Sequence, residues 1–180
     1  MRLLITGLVL VAGVLCAQSK PCQSDKLPKF SDFTVHAVFS GKPKQPILTT
    51  KLEHLYRTTI REAAMNGTNF AGHFAIAEWG CGTGCHDFVV VDVRTGKVYD
   101  PPFRDLNFHM PPPDLFVDSD PNWFCFADVI RYRKDSDLLV VEGCLDDKQC
   151  GRTYFRMVNT GLKQVAFDPD LLPDGKVAPF

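Results

Sequence analysis

The cysteines constrain the fold of this chain more than any other feature. Seven occur among the 180 residues, and the first, Cys16, lies at the end of an apolar run that follows Arg2. A basic residue, an apolar run of this length and then the small residue Ala17 are typical of a secretory signal peptide. We therefore expect residues 1–17 to be a signal peptide and residues 18–180 to form a single domain. The residue before Cys16 is larger than the one that normally precedes a lipid-modified cysteine, so cleavage is favoured over a lipoprotein anchor.

Six cysteines follow this signal, and an even number in an exported chain predicts three disulfides, because an oxidising compartment lets them persist. They are Cys22, Cys81, Cys85, Cys125, Cys144 and Cys150. Their number alone leaves many pairings open. Export also predicts a secreted or periplasmic location.

An internal repeat selects among these pairings. Residues 79–97 and 142–162 each contain a strand ending in Gly-Cys, a short loop ending in Cys, a second strand and a Thr-Gly turn. The second cysteine and the turn glycine are eleven positions apart in both copies. We expect a duplicated three-stranded meander in which each copy closes its own loop. This gives Cys81–Cys85, Cys144–Cys150 and, by remainder, Cys22–Cys125.

The remaining pattern is mainly that of strands. Alternating or continuous apolar runs predict strands at residues 33–39, 74–79, 88–93, 97–100, 124–132, 138–143, 152–158 and 163–167. The proline-rich residues 101–121 are predicted to cross the surface without regular structure. The fold class expected is mainly β (α+β), an antiparallel meander of about seven or eight strands built from two related units, with one packed helix.

The one predicted helix covers residues 51–66. Thr50 and Glu53 have the spacing of a capping box, and Gly67 suits the C-terminal end. Apolar residues recur at helical spacing and predict a stripe that packs on the core. They are Leu52, Leu55, Tyr56, Ile60 and Ala63.

Two short motifs resemble those of a known family. Residues 69–74 read Asn-Phe-Ala-Gly-His-Phe, and residues 79–85 read Trp-Gly-Cys-Gly-Thr-Gly-Cys. Together with the stretch around them, residues 57–98, they are similar to an uncharacterised family of small secreted bacterial proteins. The resemblance implies a bacterial, exported protein and implies no reaction or ligand. The second copy of the repeat departs from the motif, so any role of these glycines belongs to the first copy.

Residues 80–87 are the segment richest in candidate binding groups. One hypothesis makes them a binding loop, with Trp79 as an apolar wall and His86 and Asp87 as polar contacts, near Glu78 and His73 on the preceding strand. The alternative is structural, because Gly82 and Gly84 permit backbone geometries that let a small disulfide ring close. The candidate binding residues are His73, Glu78, Trp79, His86 and Asp87.

Metal and thiol chemistry are the other options for the cysteines. Two close pairs could hold zinc, but the spacing of Cys144 and Cys150 is loose, and oxidation competes with metal capture in an exported protein. A thiol redox site would want Cys-x-x-Cys at a helix start, whereas Cys81 and Cys85 follow a strand and are one residue further apart. We therefore expect no metal and no cofactor.

Charge gives little information about a partner. The formal net charge is −1, and neither sign forms a long run. This argues against nucleic acid and against a polybasic membrane surface, and no later segment predicts a transmembrane helix. The partner expected is an unknown protein or small-molecule ligand in the cell envelope, and the oligomeric state is not predicted.

No convergent catalytic motif is present in the sequence. The function expected is therefore a non-enzymatic binding or inhibitor-type module of the bacterial envelope. The alternative is an envelope hydrolase that uses His73 or His86 with a nearby carboxylate, so whether the protein is an enzyme stays open. A histidine and a carboxylate within hydrogen-bond reach in a cleft would favour the enzyme, and histidines on separate faces would favour the binder.

Overall fold

One eight-stranded antiparallel sheet dominates the fold in the computed structural model, which describes residues 26–107 and 129–169. The strands are β1 (Phe74–Gly82), β2 (Cys85–Asp92), β3 (Val98–Tyr99), β4 (Leu106–Asn107), β5 (Ile130–Arg133), β6 (Ser136–Leu145), β7 (Gln149–Val158) and β8 (Gly161–Pro169). Their order is β1-β2-β4-β6-β7-β8, with β3 paired to β2 and β5 paired to β6. The predicted mainly β class with one packed helix is confirmed.

The two copies of the repeat form two hairpins, and each carries its own disulfide. Cys81–Cys85 joins β1 to β2, and Cys144–Cys150 joins β6 to β7, as the repeat predicts. The short strand β4 lies between the hairpins, where Asn107 pairs with both Cys85 and Cys144. The two units are therefore neighbours in one sheet. Cys22 and Cys125, the third predicted pair, lie outside the described residues.

The prediction of a loop at residues 80–87 is wrong, because both strands continue through the cysteines. Gly80 pairs with His86 and Gly82 with Cys85, with a bulge between Gly80 and Gly82. Only Thr83 and Gly84 turn the chain. Gly82 has φ of 146° and Gly84 has φ of 72°, so glycine supplies the backbone freedom that lets strand pairing reach the disulfide.

The predicted strand at residues 33–39 is also wrong. Phe30–Phe33 is a 3-10 helix, and Thr34 then makes a single bridge to Ser136. Beyond it, Val35 N–H donates to the Asp135 carbonyl and Phe39 N–H to the Gly72 carbonyl. The segment contacts other segments only at these isolated points, and no strand among the described residues runs beside it. Its alternating pattern therefore does not form a ladder there.

Two further expectations need smaller corrections. The start of the proline-rich stretch contains β4, which pairs with the sheet and is not irregular, whereas residues 108–121 lie outside the described part. Of the predicted strand at residues 124–132, residues 129–132 are described, and residues 130–132 belong to β5, Ile130–Arg133. The predicted strand at 97–100 is the two-residue β3.

The predicted helix is interrupted at Tyr56 and forms α1 (Lys51–Leu55) and α2 (Arg57–Met65). The capping box is confirmed, since Glu53 N–H donates to Thr50 Oγ1 at 3.1 Å and the Glu53 carboxylate accepts from Thr50 N–H at 3.1 Å. The apolar stripe is only partly buried. Ile60 is inaccessible to solvent, but Leu52 and Leu55 are 41 % and 68 % exposed, because the break turns only α2 onto the sheet.

The sheet buries apolar side chains on both faces. One face, called here the inner face, forms a core that includes Ile76, Phe88, Leu106, Leu139 and Phe155, from five different strands. The opposite face of the β1–β2 hairpin packs against Ile60 and Ala64 of α2 through Ala77, Val89 and Val91. No helix within the described ranges is long and apolar enough to cross a membrane.

The motif at residues 69–74 is held beside the inner core by hydrogen bonds to the backbone of other segments. Asn69 Oδ1 accepts from Ile76 N–H at 2.8 Å, and its Nδ2 donates to the Ile76 carbonyl at 3.2 Å. Gly72 N–H donates to the Lys134 carbonyl, in the turn between β5 and β6. Gly72 has φ of 76°, and a Cβ there would lie 2.4 Å from the Ala37 carbonyl oxygen. The motif therefore links β1 to the second unit.

Candidate functional site

A cavity opens between the β1–β2 hairpin and β5, on the inner side of the sheet. Its volume is about 500 Å³. The residues that line it are Phe30, Glu78, His86, Val129, Ile130, Arg131 and Tyr132. The lining therefore combines three apolar residues with a carboxylate, an imidazole, a guanidinium and a phenol.

The hairpin register brings Glu78 and His86 together. Glu78 pairs with Phe88 and His86 pairs with Gly80, so the two side chains are diagonal neighbours on one face. His86 Nε2 lies 3.1 Å from Glu78 Oε2. The His86 side chain is 30 % exposed and the Glu78 side chain 28 % exposed. Both can therefore contact a ligand in the cavity, while most of each side chain is shielded from solvent.

Tyr132 completes the cluster from β5, which pairs with β6 of the second unit. Its hydroxyl donates to Glu78 Oε1 at 2.7 Å, so each carboxylate oxygen has its own partner. An ionised carboxylate only accepts hydrogen bonds, and it therefore favours the His86 tautomer with the proton on Nε2. In neutral His86 this leaves Nδ1 as a hydrogen-bond acceptor or a base.

Trp79 does not form an apolar wall beside these groups, and that prediction is wrong. Neighbouring strand residues point to opposite faces, so Trp79 lies on the helix side of the sheet while Glu78 faces the cavity. Trp79 is 8 % exposed, and its ring stacks on Tyr56 with centroids 4.3 Å apart. The apolar lining comes from Phe30 and Ile130, which the sequence did not single out.

Asp87 lies on the same side as Trp79, with which it pairs across the hairpin, and does not line the cavity. Its Oδ1 accepts from the Phe88 N–H at 2.8 Å. Burial raises the pKa of this carboxyl, and the negative charges of Asp100 and Asp105 raise it further, against the lowering effect of the hydrogen bond. The structure therefore separates Asp87 from the Glu78–His86 pair.

His73 directly precedes β1, at the end of the hairpin away from its turn. Its ring packs on Phe74, with centroids 4.1 Å apart. Burial lowers the pKa of His73, the Arg94 charge lowers it further, and the Asp92 charge opposes both. It does not line the cavity, so of the two histidines considered for an enzyme only His86 has a carboxylate beside it in a cavity.

Of the hydrogen-bonded cluster Glu78, His86 and Tyr132, the sequence predicts the first two and not the third. Glu78 and His86 follow from the pairing of one hairpin. Tyr132 is 54 positions from Glu78, and it meets Glu78 only because β5 is brought across the inner core. Strand alternation places Tyr132 on one face of β5, but no local sequence pattern predicts which residue of another strand it contacts.

The four described cysteines are bonded in pairs, which overturns the alternative of a zinc site built from their thiolates. Among residues 26–107 and 129–169, no group of three His, Cys, Asp or Glu side chains has a metal-binding arrangement.

Comparison of the chain with protein-family models, with curated proteins and with solved structures found no match.

Proposed function

We propose that this protein is an exported binding module of the bacterial envelope, and that it takes a small ligand in the cavity beside Glu78, His86 and Tyr132. The observation that carries the proposal is the Glu78 carboxylate, which bridges the Tyr132 hydroxyl and His86 Nε2 at the wall of that cavity. Because both partners are held by one carboxylate, the imidazole is oriented before any ligand arrives. Such preorganisation lowers the entropic cost of binding.

The lining also suggests the kind of ligand. A volume of about 500 Å³ is usual for small-molecule sites, and this lining offers both apolar and polar contacts to a ligand. Phe30 and Ile130 offer apolar contact, and His86 Nδ1 offers one hydrogen bond. A ligand with an apolar ring and a hydroxyl or amine group fits both features.

Three observations support the exported location. The N-terminal apolar run has the pattern of a signal peptide. Two disulfides are formed in the described residues, as is usual for proteins of oxidising compartments. The motif at residues 69–85 resembles that of secreted bacterial proteins.

A hydrolase is the second candidate, and the contact between His86 and Glu78 specifically favours it. A carboxylate that fixes an imidazole tautomer is the arrangement by which a histidine acts as a general base. The seven residues that line the cavity include no serine, threonine or free cysteine. An enzyme at this site would therefore have no nucleophilic side chain and would have to activate water through His86. Binding needs no such step, and for that reason it is the first proposal.

Ligand-observed NMR with benzyl alcohol, phenol and benzylamine tests the binding proposal. We expect at least one of them to bind the wild-type protein, and Glu78→Gln and His86→Ala each to weaken its affinity about tenfold, or about 1.4 kcal/mol. Lys163→Gln, at an exposed position of β8, serves as the control and should bind like wild type. If none of the three binds, or if all proteins bind equally, the cavity is not the ligand site.

The hydrolase candidate is tested with nitrophenyl esters, anilides and glycosides. A general base contributes on the order of 100-fold or more to the rate, so activity of the wild type should fall by that factor in His86→Ala. Equal rates for the wild type and His86→Ala would eliminate the enzyme.

A further inference from the structure

The two disulfides differ sharply in their access to solvent. Cys144 and Cys150 are 6 % and 5 % exposed. Cys81 is exposed and Cys85 is half-buried, because this bond lies at the tip of the β1–β2 hairpin. Of these two bonds in the described residues, a reagent dissolved in water therefore has direct access only to Cys81–Cys85.

The surroundings of Cys81 add to its accessibility. The next three residues, Gly82, Thr83 and Gly84, are all exposed. A Cβ built at Gly82 would have no heavy atom within 4 Å. The neighbouring glycines thus place no side chain in the path of an approaching group.

The second disulfide is covered by the segment around β4. Asp146, inside the Cys144–Cys150 loop, accepts through Oδ1 from the Arg104 N–H at 2.8 Å and the Asp105 N–H at 3.1 Å. Asp147 Oδ1 accepts from Asn107 Nδ2 at 2.9 Å. These contacts hold the chain of residues 104–107 against the loop.

We propose that Cys81–Cys85 is a site of thiol–disulfide exchange with an external dithiol protein, and that Cys144–Cys150 is the inert structural bond. Exchange requires a thiolate to approach one sulfur of the disulfide in line with the bond, so accessibility selects the bond that reacts. The same condition selects Cys81 over Cys85 as the sulfur attacked.

The exchange proceeds in two steps. The first thiolate of the dithiol attacks Cys81 Sγ, the Sγ–Sγ bond breaks, and its electron pair leaves on Cys85 Sγ, which takes a proton from water. The second thiolate of the dithiol then attacks its own partner sulfur in the mixed disulfide. Cys81 departs as a thiolate and is protonated, so the protein gains two electrons and the dithiol becomes a disulfide.

Limited reduction of the oxidised wild-type protein tests the selectivity. The protein is treated with dithiothreitol for increasing times, quenched with N-ethylmaleimide and mapped by peptide mass spectrometry. We expect alkylation of Cys81 and Cys85 at a rate at least about tenfold that of Cys144 and Cys150, because exchange depends on access. Equal rates, or faster alkylation of Cys144 and Cys150, would overturn the proposal.

Capture by a thioredoxin variant without its second active-site cysteine tests which sulfur of the disulfide is attacked. We expect a mixed disulfide that maps to Cys81. Capture through Cys85, or capture through neither cysteine, contradicts the proposal. The variant Cys81→Ser/Cys85→Ser is the control and should remove the Cys81 adduct while leaving Cys144–Cys150 oxidised.

Discussion

The hydroxyl of Tyr132 donates to Glu78 Oε1 over 2.7 Å and so joins β5, which pairs with β6 of the second unit, to β1 of the first. The other oxygen of the same carboxylate contacts His86. One side chain therefore both connects the two units across the inner core and orients the imidazole in the cavity. A substitution at Glu78 is therefore expected to change both the stability of the fold and the orientation of His86.

Tyr132→Phe should destabilise the protein, because it leaves Glu78 Oε1 without its donor. Hydrogen bonds to charged groups contribute about 1.5–3 kcal/mol, and partial exposure of Glu78 lowers our expectation to about 1 kcal/mol. Tyr99→Phe is the matched control, since its hydroxyl makes only an exposed 3.5 Å contact to the Asn159 carbonyl. Urea denaturation measures both, and equal losses in the two variants would contradict a special role for Tyr132.

Gly72→Ala should cost far more stability than Gly67→Ala. Both glycines have positive φ, 76° and 93°, so each substitution carries a backbone penalty of about 1 kcal/mol. At Gly67 a Cβ would meet nothing within 4 Å, whereas at Gly72 it would meet the Ala37 carbonyl oxygen at 2.4 Å. We expect a loss of about 1 kcal/mol for Gly67→Ala and at least about 3 kcal/mol for Gly72→Ala, since overpacking adds to the backbone term. Similar denaturation midpoints would show that the motif is not tightly packed.

Local signals were enough to predict the hairpins and their disulfides. The repeat of Gly-Cys, Cys and Thr-Gly identified Cys81–Cys85 and Cys144–Cys150, because a short-range crosslink needs no knowledge of the rest of the fold. The capping box likewise located the start of α1. The interruption at Tyr56 was not predicted, since the helical spacing of apolar residues continues across it.

The errors come from contacts that depend on the whole sheet. The prediction of a loop at residues 80–87 groups Trp79 with His86, because alternation gives no information about the face on which a loop residue lies. Alternation within the predicted strand at residues 74–79 already puts Trp79 and Glu78 on opposite faces, and the register of β1 with β2 puts His86 on the face of Glu78. Tyr132 could not be identified, because its contact depends on how the sheet brings β5 to β1.

Asp87→Asn should stabilise the protein at neutral pH. Burial raises the pKa of Asp87 above its ordinary value, so keeping the carboxyl ionised costs folding free energy at pH 7. Asparagine keeps an oxygen for the Phe88 N–H and removes the charge. The gain in unfolding free energy should be complete above the raised pKa and disappear as the pH falls below the unfolded value of about 4.

Asp135→Asn provides a comparison of opposite sign. Two hydrogen bonds from the Arg133 guanidinium lower the pKa of Asp135. Its charge therefore stabilises the fold above the unfolded pKa, and that contribution is lost as the pH falls through the lowered value. Urea denaturation from pH 3 to pH 7 measures both variants, and a destabilised Asp87→Asn at pH 7 would show that its charge is favourable.

The disulfides should differ in the stability they contribute. Loops this short give about 2 kcal/mol for either bond in the chain-entropy model. Cys144 and Cys150 are also packed in the core, and their loop holds Asp146 against the backbone of residues 104–105. We expect Cys81→Ala/Cys85→Ala to cost about 2 kcal/mol, and Cys144→Ala/Cys150→Ala to cost about 3–4 kcal/mol because buried contacts are also lost. Amide exchange at Arg104 and Asp105 should accelerate only in the second variant. Equal stabilities with unchanged exchange would mean that the buried bond does not hold β4 to the second unit.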